Sequence, residues 1–129
     1  MSAVAATRRS TPDPRPVVEN GPDGVVLAGG RCVDCGHPSA TTAPRCARCG
    51  GPTEPARFGP EGVTWATTTI HVSSGDRDAP YTLAYVDLTG GPRVLVHVRD
   101  GPGPRLRVGA AVRLIGTTGH GDPQVEPVP

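Results

Sequence analysis

Residues 31–50 read RCVDCGHPSATTAPRCARCG and decide the fold of the first part of the chain. They contain two Cys-x-x-Cys pairs, Cys32 with Cys35 and Cys46 with Cys49, separated by ten residues. Two such pairs on either side of a short loop are the ligand arrangement of a closed tetrahedral metal site. The chain has four cysteines in all. The pattern therefore predicts a site of four thiolates and leaves no thiol for nucleophilic catalysis.

A glycine follows each pair, Gly36 after the first and Gly50 after the second. The chain must turn sharply there to point N–H groups at the thiolates, and glycine tolerates that conformation. With sulfur in all four positions, no position remains for water or substrate, so we expect structural Zn²⁺ rather than Lewis-acid catalysis. Iron, which accepts the same ligands, is the less favoured alternative. His37 is then an ordinary surface histidine.

Composition excludes several classes of function. The 129 residues carry a net charge of +1, with 13 basic and 12 acidic side chains, so nothing attracts the whole chain to nucleic acid or to an anionic membrane. No apolar run approaches the ~20 residues that span a bilayer, and residues 1–10 lack the apolar stretch of a secretory signal. We therefore expect a cytoplasmic protein with reduced, metal-binding cysteines; a secreted module with two disulfides is the alternative.

Proline, glycine and apolar runs divide the chain into three regions. Residues 1–24 are predicted to be a flexible Pro-rich segment. Residues 25–60 are predicted to form a zinc ribbon and a linker, beginning with the apolar run Val25-Val26-Leu27 and containing Phe58 as an anchor. Residues 61–129 are predicted to form an OB-fold domain with a flexible C-terminal tail.

The last region has the patterns of short β-strands separated by Gly/Pro turns. The first strand segment changes the face of its apolar residues midway, which predicts a bulge. The second and third flank Thr89-Gly90-Gly91-Pro92 and predict a hairpin, and the last is predicted as an edge strand, where proline is tolerated. The five segments are residues 63–72, 81–88, 93–99, 111–115 and 123–128. No segment has helical periodicity, so the predicted class is all-β, with a small five-stranded barrel of the OB type.

The order of these motifs resembles a known family. It begins with Gly30-Arg31-Cys32-x-x-Cys35-Gly36 and Pro44-Arg45-Cys46-x-x-Cys49-Gly50, and continues with Gly62-Val63, Ala79-Pro80-Tyr81, Leu83-Ala84-Tyr85-Val86-Asp87-Leu88, Gly91-Pro92-Arg93-Val94-Leu95 and Leu106-Arg107-Val108-Gly109. The series is similar to bacterial and archaeal proteins that join a rubredoxin-like zinc ribbon to an acyl-CoA-associated OB-fold. The resemblance covers residues 25–115. Many members have a helix before the ribbon, which the Pro-rich residues 1–24 are not expected to form.

The resemblance implies a function as an accessory subunit without catalytic residues of its own. Members of the family bind a thiolase-fold partner: a thiolase, a ketoacyl-synthase-like acyltransferase or a retro-aldolase. That partner acts on acyl-CoA thioesters and carries the catalytic residue. We therefore expect a hetero-oligomer in which acyl-CoA is bound together with the partner.

Several basic side chains are candidates for contacts with CoA or with the partner. Arginines gather in the C-terminal half of the barrel, where they would attract the phosphates of CoA; the alternative is a solvated strand face balanced by Asp87 and Asp100. Two histidines lie on predicted strands without a nucleophile beside them, and their alternative is a plain surface position. The candidates are Arg93, Arg99, Arg105, Arg107, Arg113, His71 and His97.

The second hypothesis is a nucleic-acid-binding module, because zinc ribbons and OB-folds also occur in that class. Such a module needs aromatic stacking platforms and a basic groove. The aromatic residues available, Trp65, Tyr81 and Tyr85, are few, and the net charge is close to zero. We therefore expect no nucleic-acid partner.

Overall fold

The computed structural model describes residues 13–73, 75, 77–99 and 105–129. Throughout these residues the regular secondary structure consists of β-strands, without a helix, so none of their segments forms a helix that could cross a membrane. The predicted all-β class is therefore confirmed. Residues 1–12 of the predicted flexible segment, and Asp100, lie outside the described residues. The strands are β1 (Val17–Gly21), β2 (Gly24–Cys32), β3 (Pro38–Ser39), β4 (Thr53–Phe58), β5 (Glu61–Ile70), β6 (Tyr81–Leu88), β7 (Arg93–Val98), β8 (Ala111–Thr117) and β9 (Pro123–Pro127).

The first four strands form an antiparallel sheet with β2 at its centre. β1, β3 and β4 all pair with β2, and the pairing with β4 extends from Leu27 opposite Phe58 to Cys32 opposite Thr53. This pairing positions Cys32, the first predicted metal ligand, at the end of a strand held by its neighbours. The cysteine-bearing loops then continue directly from the sheet.

Strand β1 corrects the prediction that all of residues 1–24 are flexible. Val17–Gly21 pairs with β2 in antiparallel register, ending with Gly21 opposite Gly24. The two residues between the strands make a tight turn, and Gly24 adopts a φ of 128°, which side chains disfavour. The Pro-rich composition of the whole segment predicted flexibility. The prolines lie beside β1 and not within it, however, so they do not prevent its pairing.

Strands β5 to β9 form a closed barrel in the order β5-β6-β7-β9-β8. The predicted hairpin of β6 and β7 is confirmed, and the predicted irregularity in β5 lies between Thr64 and Ala66. The prediction that the last strand is an edge is wrong. β9 pairs with β8 on one side and with β7, in parallel, on the other. Its prolines, Pro123 and Pro127, lie at the ends of the strand, so their missing N–H groups do not interrupt it.

One hydrophobic core joins the barrel to the first sheet. Alternate residues of β6 and β7 face inward, and Val86 and Val96 are 0% and 1% exposed. Leu27 of β2 and Phe58 of β4 belong to the same buried cluster. The barrel therefore packs directly on the sheet that carries the cysteine-bearing loops.

Candidate metal centre and barrel surface

Two similar turns present the four cysteines. In the first, the Gly36 N–H donates to the carbonyl of Cys32 at 3.0 Å; in the second, the Gly50 N–H donates to the carbonyl of Cys46 at 2.9 Å. The φ angles of the two glycines are 76° and 77°, a conformation that a side chain would strain. The expected role of these glycines in turning the chain is therefore confirmed.

The four sulfur atoms converge on one point. All of them lie within 4.8 Å of one another. The Sγ atoms of Cys32 and Cys49 are 3.4 Å apart, and those of Cys35 and Cys46 are 3.7 Å apart. A tetrahedron with metal–sulfur bonds of about 2.3 Å has edges of about 3.8 Å, so the four thiolates fit a single tetrahedral ion.

Backbone N–H groups and neighbouring thiols set the acidity of these cysteines. The Cys35 N–H points at the Cys32 sulfur and lowers the pKa of that thiol to about 7. The Gly51 N–H acts in the same direction on Cys49, but the neighbouring thiols of Cys32 and Cys35 outweigh it and raise the pKa of Cys49 to about 12. The neighbouring thiols thus oppose deprotonation of Cys49. A bound cation would favour the thiolate form of the ligands.

The candidate arginines lie at separate places on the barrel. Three of them pair with carboxylates of this chain: Arg93 with Asp87 at 2.7 Å, Arg99 with Glu126 at 3.5 Å and Arg113 with Glu61 at 3.6 Å. The structure places Arg105 and Arg107 in the exposed segment before β8. Asp87, a predicted balancing carboxylate, does balance an arginine of the same face.

The two candidate histidines have different surroundings. His71 is exposed just beyond the end of β5. His97 of β7 stacks on Tyr81, with ring centroids 5.7 Å apart, and its Nε2 lies 3.4 Å from a carboxylate oxygen of Asp122. Burial lowers the pKa of His97, although the carboxylate of Asp122 opposes that effect. The neutral form of His97 therefore persists to lower pH than that of a free histidine, because its pKa is lowered.

Asp122 is the centre of a charge cluster that the sequence did not reveal. Its carboxylate is 13% exposed and accepts hydrogen bonds from Arg77 at 2.5 Å and from Arg15 at 3.2 Å. Burial acts to raise the pKa of Asp122, but the bonds from the two arginines outweigh burial and lower it. The cluster lines a pocket of about 440 Å³ together with Leu83 and Leu95. In the sequence, Gly121-Asp122-Pro123 only indicates a turn.

Aromatic and apolar side chains are exposed on the outer face of the barrel. Trp65 is 51% exposed and makes an edge-on contact with Tyr85, with ring centroids 6.2 Å apart. The guanidinium of Arg93 lies over the Trp65 ring, 3.8 Å from its centroid. Leu95, on the next strand, is 47% exposed. The large apolar residues Val63 and Trp65 of β5 thus face outward, while Thr64 faces the core.

Fold and site together define a two-part protein, a sheet with a four-cysteine cluster that could hold a metal ion, joined to an OB-fold barrel. Residues 56–117 match the family model of the C-terminal OB-fold domain of ChsH2. This stretch of the chain is therefore similar to that domain, and the closed barrel of β5 to β9 confirms the predicted OB type.

A solved structure supports the fold over a longer stretch. The chain is similar to a structure described as "Ltp2-ChsH2(DUF35) aldolase", with a TM-score of 0.61 and 23% sequence identity. The similarity covers 78% of this chain and 84% of that chain. No curated protein sequence matches significantly.

Proposed function

We propose that this protein is a non-catalytic accessory subunit that binds a thiolase-fold partner and supports its action on acyl-CoA thioesters. One observation carries the proposal: a four-cysteine sheet and a ChsH2-type barrel occur together in one compact chain. The similar solved structure is described as an aldolase with two named parts, Ltp2 and ChsH2. That pairing of ChsH2 with a second named component supports a partner for this chain.

The proposed ion is Zn²⁺, held by Cys32, Cys35, Cys46 and Cys49. Their sulfur positions suit a tetrahedral ion with no open coordination position. When bound, the ion would cross-link the two cysteine-bearing turns. It would take no part in a reaction on the substrate. Thiolate ligands of this kind persist in reducing surroundings, so we place the protein in the cytoplasm.

The proposed partner supplies the reactive groups. The thiols of this chain converge on the metal position, and His97 is packed against Tyr81 and Asp122. Neither arrangement suits a nucleophile and its base. The arginines Arg99, Arg105, Arg107 and Arg113 remain candidates for contacts with CoA phosphates, and Arg93 is a weaker one because Asp87 and Trp65 already occupy it.

The test is reconstitution with a thiolase-fold protein encoded next to this one. We expect the two chains to co-purify as a hetero-oligomer of defined mass by size-exclusion chromatography with light scattering. Acyl-CoA turnover should require the partner and should be absent with this chain alone. Turnover by the isolated chain would refute the non-catalytic role, and separate elution of the two chains would refute the accessory role.

Substitution of a metal ligand tests the structural role of the ion. Cys32→Ser or Cys46→Ser should lose the bound metal, the folded state of the two cysteine-bearing turns and the partner together, as measured by elemental analysis, circular dichroism and co-purification. A variant that stays folded and bound to the partner but inactive would show that the ion takes part in the reaction. Elemental analysis of the purified wild type distinguishes zinc from iron.

The nucleic-acid hypothesis finds little support in the geometry. The guanidinium of Arg93 already stacks on the Trp65 ring, where it competes with a nucleic-acid base for the same side chain. That guanidinium is also hydrogen-bonded to Asp87, so the best exposed aromatic platform is already occupied. We expect no mobility shift with single-stranded DNA at moderate salt.

A further inference from the structure

The two cysteine-bearing turns carry an arginine in the same position. The sequence Arg-Cys-x-x-Cys-Gly occurs at Arg31–Gly36 and again at Arg45–Gly50. In each copy the arginine donates a hydrogen bond to the carbonyl of the glycine that ends the turn. Arg31 Nη1 reaches the Gly36 oxygen at 2.9 Å, and Arg45 Nη1 reaches the Gly50 oxygen at 3.4 Å. Each arginine therefore braces its own turn.

Arg31 also contacts the barrel, through a second hydrogen bond. Its Nη2 donates to the carbonyl oxygen of Gly90 at 2.8 Å. Gly90 belongs to the turn between β6 and β7, 59 residues further along the chain. The guanidinium lies 5.3 Å from the centroid of the buried Phe58 ring. Among the described residues, the hydrogen bonds of Arg45 stay within its own turn.

The turn that receives Arg31 has little freedom to move. Its Thr89 N–H donates to Glu61 at 3.0 Å, and its Gly91 N–H donates to Leu88 at 2.8 Å. A Cβ added at Gly91 would lie 2.7 Å from the Phe58 ring, so the backbone rests directly on that side chain. A displacement of the Arg31 guanidinium therefore disturbs the β6–β7 turn, which is packed against Phe58.

We propose that Arg31 is a positioning residue that couples the metal-bound state of the first cysteine turn to the β6–β7 turn of the barrel. A bound ion holds Cys32 and Cys35, and with them the Gly36 carbonyl that fixes one side of the guanidinium. The planar guanidinium holds both carbonyls at once, which a flexible ammonium would do less well. Loss of the ion frees the Gly36 carbonyl, and the hydrogen bond to Gly90 loses its support.

The test is amide hydrogen exchange of the full chain, with zinc loaded and after chelation. The probes are the amides of Leu88 at the end of β6 and of Thr89 and Gly91 in the β6–β7 turn. The references are the amides of Thr64 and Arg99 elsewhere in the barrel. In wild type, chelation should speed exchange of the probes about tenfold more than that of the references, the size expected for a hydrogen bond to a charged group. In zinc-loaded Arg31→Met, the probes should already exchange at the faster rate and should gain little on chelation.

Arg45→Met is the matched control, because Arg45 has the same position in the other turn. It should respond to chelation as wild type does, whereas Arg31→Ala, which also removes the stem over Phe58, should resemble Arg31→Met. Elemental analysis confirms that each loaded variant holds its ion. A chelation response of Arg31→Met equal to that of wild type would overturn the proposal. Equal responses of probes and references in wild type, including a general loss of protection in the barrel, would also overturn the proposal. A loss of the probe response in Arg45→Met would overturn it as well.

Discussion

At the scale of single residues, Thr64 is a polar side chain in an apolar place. It faces the barrel core from β5 and is 1% exposed, and its Oγ1 lacks a hydrogen-bond partner within the described residues. A buried hydroxyl without a partner keeps the cost of its lost hydration. We predict that Thr64→Val, which retains the branched shape, raises the free energy of unfolding by about 1 kcal/mol, as measured by chemical denaturation.

Thr67 on the same strand is the control for that prediction. Its Oγ1 donates to the Leu83 carbonyl at 3.2 Å, so Thr67→Val removes a bond that Thr64→Val does not. We expect this variant to be less stable than wild type by about 0.5–1.5 kcal/mol. Equal destabilisation by both substitutions would mean that the Thr64 hydroxyl has a partner in solution, such as a buried water.

At the scale of elements, the packing of the β6–β7 turn on β4 depends on Gly91. The three nearest atoms to a Cβ at this position all belong to Phe58, at 2.7 to 2.9 Å. Phe58 is 3% exposed and lies in the shared core, so its ring has no open space to enter. We predict that Gly91→Ala lowers the free energy of unfolding by about 1–3 kcal/mol, the usual cost of overpacking.

Gly119→Ala supplies the comparison for Gly91→Ala. A Cβ at Gly119 meets no atom within 4 Å, and this glycine lies in the turn between β8 and β9. Its substitution should change stability by no more than about 0.5 kcal/mol. If both alanine variants unfold at the same denaturant concentration, the contact of the turn with Phe58 does not hold the barrel to the sheet.

Local sequence patterns predicted much of the fold. The rest depends on contacts between residues that are far apart in the chain. The spacing of Cys32 to Cys49 predicted the cysteine cluster. The change of apolar face between Trp65 and Ile70 predicted a bulge in β5, and the structure has it slightly earlier, next to Trp65. Both signals lie within one short stretch of chain. The closure of the barrel by β9 depends instead on pairing with β7 and β8, which no local pattern records. The residues around Asp122 come from separate segments, so nothing in the sequence marked them as neighbours.

At the scale of the whole molecule, Asp122 ties three distant segments together. It holds Arg15 from the stretch before β1, Arg77 from the stretch between β5 and β6, and His97 from β7. Because the carboxylate is 13% exposed, water screens these contacts less than it screens a surface pair. We predict that Asp122→Asn lowers the free energy of unfolding at pH 7 by about 1–3 kcal/mol, the range for hydrogen bonds to charged groups.

The pH dependence of that loss follows from the lowered pKa of Asp122. The arginines favour the carboxylate in the folded state, so its contribution is complete above the ordinary value of 3.8 and is lost as the pH falls through the lower native pKa. The stability difference between wild type and Asp122→Asn should therefore shrink in acid, as measured by urea unfolding at several pH values. Asp87→Asn breaks only the exposed pair with Arg93 and should cost no more than about 1 kcal/mol. Equal losses in the two variants at pH 7 would show that the Asp122 cluster is no stronger than a surface ion pair and does not hold the N-terminal segment to the barrel.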